Sequence, residues 1–196
     1  MKKIIDVSSY QSNIDWSKVV ADGVIIKAGE ALFKDSSVGQ HTLNARAKGL
    51  KVSYYYFAHP NNSPSVSIDA ENAADYFSVL ISAYNQPDFQ CGLDIEVNPN
   101  GLTPDEMEEW ILSFISKMGT HGVSMMIYGS PYFLDQNLPA NHSLGTTPLW
   151  LSEYNGQDKP TVLPIGWSDY LLWQYTDREV NGGYTVDTSL AKDELY

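Results

Sequence analysis

The sequence has little cysteine, few basic residues and no long apolar run. Its single cysteine, Cys91, cannot form a disulfide within the chain and leaves no Cys-rich metal site. The 12 lysines and arginines are outnumbered by 24 acidic residues. The resulting formal net charge of −12 argues against nucleic acid or an anionic membrane as a partner held by charge. No stretch approaches the roughly 18 consecutive apolar residues of a membrane-spanning helix.

The N-terminus lacks the apolar region of a secretory signal peptide. In MKKIIDVSSYQ only two apolar residues separate the lysines from Asp6, whereas that region normally has roughly 7–15 residues. We therefore expect synthesis in the cytoplasm, with release by another route if the protein acts outside the cell. No linker or internal repeat divides the 196 residues, so we expect a single domain over residues 1–196.

What the sequence does contain is an alternation of apolar strands and amphipathic helices. The clearest helix covers residues 103–119, with Thr103 as its N-cap and Glu106 closing a capping box. A second helix is predicted over residues 66–85 from its apolar periodicity, and a short capped one over residues 13–23. Strands that alternate with helices in this way predict a parallel sheet.

The last third of the chain has a different pattern. It consists of three predicted strands, residues 148–154, 170–176 and 184–189, without a helix of ten residues between them. Five strand–helix units followed by three strands predict an α/β fold, an irregular TIM-like (β/α)5β3 barrel of eight strands and about five helices. An open doubly wound sheet is the alternative, but no Gly-rich phosphate-binding loop follows any strand.

Two acidic residues, Asp94 and Glu96, interrupt an otherwise apolar predicted strand, residues 89–97. Side chains two residues apart in a strand share a face, and the C-terminal ends of parallel barrel strands carry the active site. Asp6 ends the first strand and Asp187 lies near the end of the last, and a closed barrel makes these two strands neighbours. We therefore expect all four acids at one mouth of the barrel.

Such a cluster of carboxylates suits glycosidic bond cleavage. Repulsion keeps one carboxyl group of a close pair protonated near neutral pH, and cleavage uses a protonated carboxyl beside an ionised one. Two alternatives stay open, namely a divalent-metal site made of the four acids and a purely structural role for some aromatics. Aromatic residues, which suit the apolar faces of sugar rings, accumulate at the same strand ends: Tyr54, Tyr55, Tyr56, Phe57, Tyr128, Trp150, Tyr154, Trp173 and Tyr175.

The order of several short motifs resembles glycoside hydrolase family 25, the Chalaropsis-type lysozymes. These motifs are IIDVSSYQSNIDW, LDIE, MMIYGSPYFL, LWLSEY, LLWQYT and YTVD, spread over residues 3–190. The resemblance implies an irregular eight-stranded barrel with five helices. It also implies an N-acetylmuramidase that cuts the β-1,4 bond between N-acetylmuramic acid and N-acetylglucosamine in bacterial peptidoglycan. We expect no cofactor and no metal, and a monomer whose partner is the cell wall rather than nucleic acid or a membrane.

The resemblance also assigns roles to individual residues. It implies that Glu96 is the general acid and that Asp94 stabilises positive charge at the anomeric centre, either directly as a nucleophile or by orienting the N-acetyl group of the substrate. Asp6 and Asp187 match the flanking acids that tune this pair. The expected substrate-binding residues are Tyr55, Tyr128, Trp150, Tyr154 and Gln174.

The third predicted strand departs from the family pattern, with Ser53 in place of a glycine and Tyr56 in place of a histidine. The final motif reads DTS where the family often has Asp-x-Asn. These differences concern wall preference and leave the four acids intact. The lack of a signal peptide resembles phage lysins of the family, which reach the wall after a holin opens the membrane, and no wall-binding domain is expected within the chain. Another barrel glycosidase, such as a chitinase-like one, and an inactive carbohydrate-binding barrel are the alternatives.

Overall fold

The structure, a computed structural model, describes residues 1–196. It has four α-helices: α1 (Val38–Ala47), α2 (Val66–Ser82), α3 (Pro104–Thr120) and α4 (Pro131–Asn137). It has nine strands: β1 (Lys2–Val7), β2 (Gly23–Glu30), β3 (Phe33–Lys34), β4 (Lys51–Phe57), β5 (Cys91–Asp94), β6 (Met125–Gly129), β7 (Leu149–Ser152), β8 (Leu172–Asn181) and β9 (Tyr184–Ala191).

Eight of the strands close into a barrel, which confirms the predicted fold class. The order around the barrel is β1, β2, β4, β5, β6, β7, β8 and β9, and β9 pairs again with β1. Seven of these strands run parallel, whereas β9 is antiparallel to both of its neighbours. The two-residue strand β3 pairs with β2 alone, outside the ring. The α/β barrel is therefore of mixed strand direction.

Alternating side chains divide the apolar core into two layers. On β1, Ile4 belongs to a cluster of nine buried residues inside the barrel, and Ile5 belongs to a 42-residue cluster between the barrel and the helices. Asp6 therefore follows Ile4 on the inner face. None of the four helices combines the length and the hydropathy that are needed to cross a membrane.

The helices confirm two of the predicted elements and contradict one. In α3 the Thr103 side chain accepts a hydrogen bond from the Glu106 N–H, and the Glu106 carboxylate accepts one from the Thr103 N–H. The helix predicted over residues 13–23 is wrong, since only a 3-10 turn forms, at Trp16–Lys18. The Asn181 side chain bonds both the N–H and the C=O of Val20, at 2.9 and 3.0 Å, and these bonds satisfy that backbone outside a helix.

The last strand reverses direction through a two-residue turn. Gly182 and Gly183 connect β8 to β9, and both have positive φ, 59° and 81°, as a tight hairpin turn of this kind requires. Asp187 consequently lies in the middle of β9 and not near its C-terminal end. It still reaches the mouth of the barrel, because the antiparallel register places it directly opposite Asp6.

Candidate active site

An open groove of about 690 Å³ lies at the C-terminal ends of the parallel strands. Six carboxylate side chains line it, and Lys27 is the one basic side chain among them. The carboxylates belong to Asp6, Glu30, Asp94, Glu96, Asp177 and Asp187. The nine residues predicted from the sequence all lie in this lining: Asp6, Asp94, Glu96, Asp187, Tyr55, Tyr128, Trp150, Tyr154 and Gln174.

Asp94 and Glu96 lie at the end of β5, which is shorter than the predicted strand. Asp94 is its last residue and is 6% exposed, whereas Glu96 lies two residues beyond it and is exposed at the rim of the groove. The extended pairing continues past the strand, since the Ile95 N–H donates to the Tyr128 carbonyl at 3.0 Å. Both carboxylates therefore line the same groove, and Asp94 Oδ1 is buried without a hydrogen-bond partner.

The surroundings of these two carboxylates favour their protonated forms. Burial, followed by the charges of Glu96 and Asp6, raises the pKa of Asp94 well above its usual range. Loss of solvation, followed by the charge of Asp187, raises the pKa of Glu96. Lys27 lowers both pKa values, but its ammonium already pairs with Glu30 at 2.6 Å. The one nearby cation is thus shared among several acids.

Asp6 and Asp187 form a second acidic pair across β1 and β9. They are directly opposed in the antiparallel register, where like charges repel. Burial, and then the charge of Asp187, raises the pKa of Asp6. Burial, and then the charge of Asp177, raises the pKa of Asp187 to about 6. A proton on one member of this pair relieves the repulsion at neutral pH.

Gln174 on β8 connects the acids to the tyrosines. Its Nε2 donates to Asp6 Oδ2 at 2.9 Å, and its Oε1 accepts from the hydroxyls of Tyr128 and Tyr154 at 2.8 and 2.5 Å. Ser152 Oγ adds a longer bond to the same oxygen, at 3.4 Å. These partners fix the orientation of the amide, because only its NH₂ group can donate to the carboxylate.

Trp150 forms the floor of the groove inside the barrel. Tyr128 packs against it in a T-shaped arrangement at 4.7 Å between ring centroids, and Tyr55 does so at 6.2 Å. The indole N–H donates to Ser189 Oγ at 3.0 Å. Gly92 on the facing strand makes room for the ring, since a Cβ there would lie 3.0 Å from Trp150 Cζ3.

Four of the aromatic residues grouped at the strand ends do not line the groove. Tyr56 packs against Phe77 and Phe114 on the helix side of the barrel, with ring centroids 5.6 Å from each. Trp173 is buried, and its indole N–H donates to the Glu153 carbonyl at 2.8 Å. Tyr54 and Tyr175 also lie outside the groove lining. Strand alternation explains the division on β4, because Tyr55 and Phe57 point inward and their neighbours outward.

The sequence reasoning missed several residues that line the groove, among them the charged or aromatic residues Tyr10, Lys27, Glu30 and Asp177. Glu30 ends β2 as Asp6 nearly ends β1, so the strand-end rule applied to the acids was a sufficient signal for it. Asp177 reaches the groove because β8 extends to Asn181, beyond the strand predicted to end at residue 176. Tyr10 lies on a 3-10 helix after β1, and the motif IIDVSSYQSNIDW contains it without indicating a role for it. No group of three or more His, Cys, Asp or Glu side chains has the arrangement of a metal site.

The sequence matches the family described as "Glycosyl hydrolases family 25" over residues 5–184. Lysozyme M1 of Streptomyces globisporus is 29% identical over 96% of this chain, which spans 66% of that relative's length. N,O-diacetylmuramidase of Chalaropsis sp is 28% identical, over 91% of this chain and 89% of the relative.

A solved structure agrees with these sequence relatives. The crystal structure of the bacterial lysozyme from Streptomyces coelicolor superposes with a TM-score of 0.84 at 27% identity, over 98% of this chain and 94% of that one. The resemblance inferred from the motifs is confirmed, and so are the barrel and the enzyme class. The chain is a glycoside hydrolase that belongs to glycosyl hydrolase family 25.

Proposed function

We propose that the protein is an N-acetylmuramidase, a lysozyme that hydrolyses the β-1,4 bond between N-acetylmuramic acid and N-acetylglucosamine in bacterial peptidoglycan. The observation that carries the proposal is the pair formed by Asp94 and Glu96 at the end of β5, in a groove lined by carboxylates and aromatic rings. The names of the two relatives, a lysozyme and a diacetylmuramidase, support the same substrate.

Glu96 is the general acid in this proposal. Its exposure at the rim lets it reach the glycosidic oxygen, and its raised pKa favours the protonated form that a general acid needs. It gives that proton to the leaving oxygen as the glycosidic bond breaks. It then takes a proton from the water molecule that completes hydrolysis, so that it ends the cycle protonated again.

Asp94 stabilises the positive charge that develops at the anomeric carbon. Its side chain lines the groove, where it either bonds the anomeric carbon or orients the N-acetyl group that does so. Both routes need an anion at the moment of bond cleavage. The charge of Asp6 is one of the causes that raise the pKa of Asp94, after burial and the charge of Glu96, so a proton on Asp6 would remove that charge and favour the Asp94 anion.

The test is to identify the new chain ends in digested peptidoglycan. Purified walls are treated with the enzyme, the fragments are reduced with borohydride, and mass spectrometry identifies the reduced sugar. Reduced muramic acid is expected. Reduced glucosamine, or cleavage of chitin oligosaccharides in preference to walls, would point to another barrel glycosidase, and the absence of any release would point to a binding barrel without activity.

Variants of the two carboxylates test the assignment of roles. Glu96→Gln is expected to lower the cleavage rate by about 10²–10⁴-fold, the usual contribution of a general acid, and Asp94→Asn is expected to be severely impaired as well. Glu109→Gln is the matched control, because Glu109 is exposed on α3, outside the groove. Near-normal activity of Glu96→Gln would place the acid on another residue.

A further inference from the structure

Tyr10 is the most exposed aromatic side chain of the protein. It is 85% exposed and yet belongs to the lining of the groove. An aromatic ring left in water at the edge of a binding groove gains free energy only when another apolar surface covers it. The packing of the folded chain does not supply that surface. Its place in the groove lining makes Tyr10 a candidate contact for a bound ligand.

The turn that carries Tyr10 is held from several directions. Ser8 and Gln11 form a capping box around the 3-10 helix Ser9–Gln11. The Ser9 N–H donates to Asp35 Oδ2 at 2.9 Å, and the buried His41 ring bonds the Ser8 carbonyl at 2.9 Å. These anchors fix the backbone from which the ring projects, so that less backbone entropy is lost when a ligand covers the ring.

The position of Tyr10 in the barrel separates it from the reaction centre. It follows β1, whereas Asp94 ends β5 and Glu96 lies two residues beyond it, three strands away around the shorter side of the ring. Side chains of β2 and β4 intervene at the mouth, among them Lys27 and Tyr55. Tyr10 is also exposed whereas Asp6 and Asp94 are buried, so a ligand that covers its ring lies at the outer edge of the groove, away from the buried acids.

We propose that Tyr10 is a stacking platform for a sugar ring, and that it forms a distal subsite for the glycan chain. This inference builds on the proposed function, because it assumes a polymeric sugar in the groove. The apolar C–H face of a hexose suits an aromatic face. The neighbouring groove residues Gln11, Asp177 and Thr185 supply polar groups for the hydroxyls at its edge.

The test measures binding without turnover. Soluble glycan chains freed of their peptides are titrated by calorimetry into the Glu96→Gln enzyme, with and without Tyr10→Ala. Tyr10→Ala is expected to raise the dissociation constant by about tenfold, as the loss of one aromatic contact does. Tyr10→Phe, which keeps the ring, is expected to stay within about twofold of the parent. Thermal unfolding should be unchanged in both variants, because the side chain is exposed.

Tyr132→Ala is the matched control, since Tyr132 is 74% exposed but does not line the groove. It is expected to bind like the parent. Equal binding by Tyr10→Ala and the parent would overturn the inference. A defect that appears with intact peptidoglycan but not with peptide-free chains would overturn it too, and would assign the ring to the peptide. These results are independent of the reducing-end analysis, so the muramidase proposal can fail while the binding result still decides the role of Tyr10.

Discussion

Replacing Gln174 with leucine should destabilise the protein more than any other single change of a polar side chain in the groove. Gln174 is 1% exposed and joins Asp6 to the hydroxyls of Tyr128 and Tyr154. Leucine approximates the volume of glutamine but offers neither a donor nor an acceptor. The variant therefore removes all of these hydrogen bonds while it changes the side-chain volume only modestly.

The size of the expected stability loss depends on which hydrogen-bond partners of Gln174 are buried. Tyr154 is 48% exposed, so its hydroxyl can turn to water. Tyr128 and Asp6 are both buried, and each loses a partner that water does not easily replace. A buried polar group left unpaired costs about 1–3 kcal/mol, so the expected loss is about 4 kcal/mol. For a chain of this size that corresponds to a fall in melting temperature of about 8–16 °C.

The assay is unfolding in urea and by heat, followed by circular dichroism at pH 5 and pH 8. Gln174→Glu is the companion variant, because it keeps the shape and one acceptor oxygen. Burial beside Asp6 would raise the pKa of the new carboxyl group, so its stability should be nearly normal at pH 5 and should fall as pH rises through the folded pKa. If Gln174→Leu unfolds within about 0.5 kcal/mol of wild type, the network contributes nothing and the reasoning is refuted.

Three further results are expected. Gly92→Ala should cost about 1–3 kcal/mol and perturb Trp150 fluorescence, because its Cβ would crowd that ring. Gly119→Ala, whose Cβ meets nothing within 4 Å, should be neutral or stabilising, and equal losses in the two variants would contradict this reasoning. Asp187→Asn should stabilise the protein by up to about 3 kcal/mol at pH 7.5, because the raised pKa of Asp187 makes its ionisation unfavourable as pH rises through about 6. The gain should vanish at pH 3.5, and an equal gain at both pH values would exclude this cause. Wall lysis should increase with salt up to about 0.1 M, where the screening length is about 10 Å, because the chain carries a charge of −12; a steady fall would count against repulsion by the wall.

The sequence predicts the barrel because local signals for turns and helix ends separate one strand from the next. Apolar runs, N-caps and helix-ending glycines recur often enough to count the strands, and the count of eight is correct for the ring. Strand direction is not encoded in the same way, since the alternation in Tyr184–Ala191 reads equally well in either direction. Gly182 and Gly183 are the one local signal of the reversal, as a two-glycine connection between strands indicates a hairpin.

The residues of the candidate site likewise fall into those that local sequence pattern predicts and those that it does not. Asp6, Asp94 and Glu96 are found from the sequence because their position at strand ends follows from local pattern and from the geometry of parallel barrels. The partners of Gln174 are not found in this way. They come from strands β1, β6 and β7 and from the loop after β7, and only the closed ring brings those elements together. Tyr10 is missed for another reason, since nothing local separates a functional exposed tyrosine from an ordinary one.

The arrangement of the acids in the groove lowers the stability of the folded protein. Asp6 faces Asp187 across a strand pair, and Asp94 keeps a buried oxygen without a partner. A protein selected for stability alone would replace at least one of these groups by an amide. The barrel instead offsets the repulsion with one amide from Gln174 and one shared cation, Lys27, and leaves the remaining charge in the groove. Burial and that residual repulsion together raise the pKa values of the carboxyl groups, which favours the protonated form a general acid requires. Instability and acid chemistry therefore have the same origin in this site, and variants that stabilise the acidic cluster should lose activity.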